Sequence, residues 1–67
     1  MTTFNNNAQK QATKKWVSQA LGVGCDDGDA VDRAIHYVNK NIYAERIDEV
    51  LKEINAENET NFIWQHA

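Results

Sequence analysis

A chain of 67 residues with net charge −3 has room for one domain. Its lone cysteine, Cys25, excludes an internal disulfide, and three glycines with no proline supply too few turns for a sandwich or barrel. The first residues lack the basic start and apolar run of a signal peptide, and every apolar stretch is too short to span a bilayer, so a cytoplasmic protein with no membrane partner is expected. Charge is unevenly spread. Residues 1–24 carry Lys10, Lys14 and Lys15 and no acid, whereas residues 25–67 set Arg33, Lys40, Arg46 and Lys52 against ten acids.

Residues 1–7 are polar and asparagine-rich and read as a flexible arm, with an asparagine near position 7 free to cap a helix. From Ala8 the spacing is helical. Ala8, Ala12, Trp16 and Ala20 recur every four residues with Val17 and Leu21 beside them, which predicts a first helix over 8–22 ended by Gly22 and Gly24. Cys25-Asp26-Asp27-Gly28-Asp29 follows as a loop, with Asp26 or Asp27 placed to cap a second helix over 28–39. That helix sets Val31, Ala34, Ile35 and Val38 on one face and offers Asp29–Arg33 and Asp32–His36 as pairs one turn apart.

The apolar phase shifts near Asn39-Lys40-Asn41, from the series 31, 35, 38, 42 to the series 43, 47, 50, 51, 54. A break there, with Asn39 or Asn41 as cap, predicts a third helix over 42–55, with Ile47, Val50, Leu51 and Ile54 inward. A polar connector leads to Phe62-Ile63-Trp64, which reads either as one helical turn lidding the core or as a docking segment. His66 falls in an end expected to fray. The fold class is therefore all-α: a bundle of three helices over residues 8–67, with a core built on Trp16, Leu21, Val31, Ile35, Val38, Ile47, Leu51 and Ile54.

The residues that could carry chemistry have simpler uses. Asp26, Asp27 and Asp29 lack the alternate ligands and distal glutamate of an EF-hand, and capping accounts for them, so no metal and no cofactor are expected. Cys25 and His36 have no second pair to complete a zinc site, and nothing around Cys25 resembles a nucleophile elbow. No catalytic residue is assigned, and the chain is read as a non-enzyme.

Val17-Ser18-Gln19-Ala20-Leu21-Gly22-Val23 followed by Ala30-Val31-Asp32-Arg33-Ala34-Ile35 resembles a stretched helix-turn-helix, with a turn about four residues longer than the 3–4 of that motif. Residues 28–38 with Glu45-Arg46-Ile47-Asp48-Glu49-Val50-Leu51 are similar to small ribbon-helix-helix antitoxins, whose N-terminal strand is replaced here by polar residues read as arm and helix. Either resemblance implies a small DNA-binding regulator using Lys10, Lys14, Lys15 and Arg33. The reading preferred on the residues is a protein-binding module of inhibitor, antitoxin or accessory-subunit type, of phage or plasmid character. Phe62, Ile63, Trp64 and Tyr43 are its expected contact residues, and pairing into a homodimer through the third helix and the 62–64 segment is expected to supply stability that short helices lack.

Overall fold

The computed structural model describes residues 6–65. Most of the expected arm (residues 1–5) and His66 lie outside the described residues. Three helices follow in order, α1 (Asn7–Ala20), α2 (Gly28–Asn41) and α3 (Ala44–Asn58), with no strand among the described residues. The all-α bundle expected from periodicity is what forms, and the strand required by the ribbon-helix-helix resemblance is helix from Asn7 onward.

The chain stops and starts helices with local chemistry. Asn6 is extended, and its Oδ1 accepts from the Gln9 backbone N–H at 2.7 Å, meeting one of the donors a helix start leaves open. At the other end, α1 stops at Ala20, two residues before the expected end. Gly22 sits at φ +79°, its N–H donates to the Gln19 carbonyl, and the Val23 N–H donates back to the Ser18 carbonyl. These are the paired bonds of a Schellman ending, which needs a residue at positive φ where glycine is unstrained. Asp27 caps α2, its carboxylate accepting from the Asp29 N–H at 3.0 Å.

The break between α2 and α3 is made differently from the expectation. Ile42 and Tyr43 are extended and α3 has no side-chain cap. Neither expected asparagine performs that task. Asn41 lies within α2 and donates to the Tyr37 carbonyl, and Asn39 faces the C-terminal segment. α3 then runs past the expected end at 55 to Asn58, closing with Glu59 at φ 54°.

Lys10 pairs with Glu53 and Lys14 with Glu57, ascending together, so α1 and α3 run parallel, while Gln19 meets Ala30 and Trp16 meets Tyr37, so α2 runs against α1. α1 packs along each of the others, while α2 and α3 barely touch. This central position explains why the expected stripe on α1 is rotated. Thr13, Val17 and Ala20 are buried, whereas Ala8 and Ala12 are exposed and Trp16 and Leu21 lie at the edge of the core. On α2, which meets only one helix well, the buried line is Ala34 and Val38. Val31 is half-buried and Ile35 is 37% exposed, so neither is the core residue expected. α3 buries Ile47, Val50, Leu51 and Ile54 as expected.

Candidate functional site

Trp64 closes the seam that α2 and α3 leave open. Its ring is 8% exposed, its Nε1–H donates to Asn39 Oδ1 of α2 at 3.0 Å, and it shares a shallow groove with Leu51 and Asn55 of α3. Of the four residues expected to make contacts, Trp64 is placed in the core. Phe62 also packs, in part, against that core. The segment forms no helical turn, and burial alternates from Phe62 through Ile63 to Trp64. Outside a helix, three consecutive apolar residues need not share one surface, and here they do not.

Asn55 fixes where that segment lies. Its Oδ1 accepts from the Phe62 N–H at 2.9 Å and from the Thr60 hydroxyl at 2.8 Å, while its Nδ2 donates to the Phe62 carbonyl at 3.1 Å. One amide side chain thus meets both backbone groups of Phe62, as a neighbouring strand would. In sequence Asn55 reads as the first residue of a polar connector, and no local pattern signals its role.

With Trp64 and Phe62 held inward, Ile63 is turned out, 84% exposed. It shares a dimple of about 360 Å³ with Leu21 and Ile35, an aliphatic surface drawn from three segments. Ile35 entered the sequence reading as core, and only the rotation of α2 reveals it as surface. Tyr43, 70% exposed, is the other expected contact residue that faces outward. It lines a different groove, with Ile42 and Ile47, and the Arg46 guanidinium lies 5.5 Å from its ring centre. The structure therefore does not gather the four expected contact residues into one groove.

The residues expected of a DNA-binding alternative are dispersed. Lys10 and Lys14 are turned onto α3 and engaged by Glu53 and Glu57. The hydrogen bond that Lys10 donates to Glu53, with the charges of Glu53 and Glu49, holds the Lys10 ammonium above the usual lysine value. Lys15 is exposed on α1 and Arg33 on α2. The pairs expected along α2, Asp29–Arg33 and Asp32–His36, do not close to ion-pair distance. Instead Arg33 and His36 line a groove between α1 and α2, floored by Trp16 and Tyr37. Those rings stack, centroids 4.2 Å apart and 18° from coplanar.

Cys25 is half-buried in the α1–α2 loop with its Sγ 3.8 Å from the Asp27 carbonyl oxygen. Among the described residues no three His, Cys, Asp or Glu side chains are grouped to hold a metal ion, and no helix is long and apolar enough to cross a membrane. No family model, curated protein or solved structure matches this chain.

Proposed function

We propose that the chain is a small non-catalytic module that acts by docking on another protein, as an inhibitor, antitoxin or accessory subunit, in the cytoplasm. The observation that carries this reading is the aliphatic patch of Ile63, Ile35 and Leu21. Ile63 is 84% exposed although its neighbours on both sides pack inward. Moving such a side chain out of water is worth about 1.5–3 kcal/mol, and a partner surface is the usual means. A second copy of the chain is the other occupant proposed for this patch, because one self-complementary surface suffices for a two-fold pair. The DNA-binding alternative draws less support, since Lys10 and Lys14 would have to leave Glu53 and Glu57 to meet phosphates.

The test is an Ile63→Asp variant, paired with Ile35→Asp. Neither position is in the core, so the melting midpoint should hold while binding to the partner recovered with the wild-type chain is lost. Light scattering on the same proteins separates the occupants: a wild-type dimer that becomes monomeric in both variants identifies the second copy. Unchanged partner binding together with an unchanged mass would remove the patch from the argument.

A further inference from the structure

The α1–α2 groove lies apart from the Ile63 patch and has a different chemistry. Trp16 and Tyr37 form its floor, and Arg33, His36 and Lys40 stand along its α2 side with Asp32 the lone acid, around a volume of about 540 Å³. Positions 33, 36, 37 and 40 recur at helical spacing, so they form one exposed stripe of α2. The groove is thus net positive on a chain whose overall charge is −3. Its cations are also not those spent on α3, which are Lys10 and Lys14.

We propose that this groove takes an acidic peptide segment of a partner protein, with carboxylates on Arg33 and Lys40 and an aliphatic side chain against the Trp16–Tyr37 rings. This rests on the protein-binding reading and specifies the partner's chemistry. Charge complementarity selects the acid. The short run of cations, with one face of each ring already taken, selects a peptide over a single-stranded nucleic acid. Binding of the latter needs open ring faces for base stacking and a long track of cations for phosphates. Here Trp16 and Tyr37 each spend one face on the other, and the groove sets Arg33 and Lys40 against Asp32, too short a run of cations to track a phosphate backbone, while the 40% exposed Tyr37 ring offers apolar surface to an aliphatic anchor.

The experiment is an amide and indole chemical-shift titration of the full chain with three probes: a synthetic peptide of glutamate and leucine, the same peptide with lysine for glutamate, and oligothymidylate. The glutamate peptide should shift Arg33, Tyr37, Lys40 and the Trp16 indole, and the lysine peptide should not. Arg33→Glu combined with Lys40→Glu changes only exposed side chains and should weaken the glutamate peptide about tenfold. No shift, or an equal response to both peptides, overturns the proposal. Shifts confined to Ile35 and Ile63 overturn the groove and leave the protein-binding reading standing. Shifts at the groove with oligothymidylate alone overturn both.

Discussion

The Trp64 indole N–H and the Asn39 side-chain oxygen meet at 3.0 Å, joining the C-terminal segment to α2 beside a ring that covers the core. Trp64→Ala should cost about 3–5 kcal/mol, as removal of a large buried aromatic does. Trp64→Phe keeps much of the packing and loses the hydrogen bond, so it should cost about 0.5–1.5 kcal/mol from that loss, plus a smaller packing penalty. Urea melts of both variants provide the check. An alanine variant as stable as the parent would return Trp64 to the surface.

Asn55 is the second anchor of the same segment. Asn55→Asp retains the oxygen that accepts from Phe62 N–H but replaces the donor that meets the Phe62 carbonyl. Amide exchange at Phe62 should quicken modestly in Asn55→Asp and much more in Asn55→Ala, with the protection of α1 residues such as Val17 falling less. Equal acceleration at Phe62 and Val17 would mean that the segment opens only when the whole molecule does.

Glu59 ends α3 at φ 54°, a conformation that costs a residue with a Cβ and not glycine. Glu59→Gly is expected to raise stability by up to about 1 kcal/mol, and Gly22→Ala, at φ +79°, to lower it by about 1–2 kcal/mol. Nothing lies within 4 Å of a Cβ built at Gly22, so its penalty is conformational. Thermal melts showing the opposite signs would contradict the assigned helix ends.

The Lys10–Glu53 pair predicts a pH dependence. Its folded value is raised, so the stabilisation is fully present below the usual lysine value of 10.5 and is lost as pH rises through the higher folded value. The stability difference between wild type and Lys10→Met should be constant at neutral pH, shrink only in strongly alkaline solution, and diminish with added salt. A difference that disappears between neutrality and mild alkalinity would exclude the pair as its source.

Asp27 is expected to act as a cap and nothing more. Asp27→Ala should lower stability by about 0.5–2 kcal/mol. Calcium, zinc or a chelator should leave the wild-type melting midpoint where it is, because a ion bound only by the folded state would raise it.

Helix number, order and the capping of α2 by one of Asp26 and Asp27 were readable from periodicity and turn chemistry, because those signals act within a few residues; the structure selects Asp27. The face each helix buries was less readable. Ala8, Ala12, Trp16 and Ala20 make a regular stripe, yet α1 must serve two neighbours, and the line through Thr13, Val17 and Ala20 points between them. The roles of Asn39 and Asn55 were hidden for a related reason: each is defined by a partner far along the chain or outside its helix, and asparagine near a helix end has a local use that suggests itself first. The candidate contact residues separated according to backbone shape. Phe62, Ile63 and Trp64 are alike in composition, and only the course of the non-helical backbone, held by Asn55, divides them into packed and exposed.

The lysine and glutamate pairs between α1 and α3 also bear on how α3 is indexed along α1. Glu49, Glu53 and Glu57 repeat every four residues, so sliding α3 by one turn, about 5.4 Å, would still give Lys10 and Lys14 an acid each. The apolar residues on α3 repeat nearly as regularly, with Ile47 and Val50 followed by Leu51 and Ile54. Neither set discriminates sharply between the two alignments. What does is the tether beyond the helix: Asn55 holds Phe62, and two residues later Trp64 must reach Asn39 on a different helix. A one-turn slip would carry that assembly off its partner, so the sliding coordinate of α3 is set by contacts that α3 makes through the segment following it.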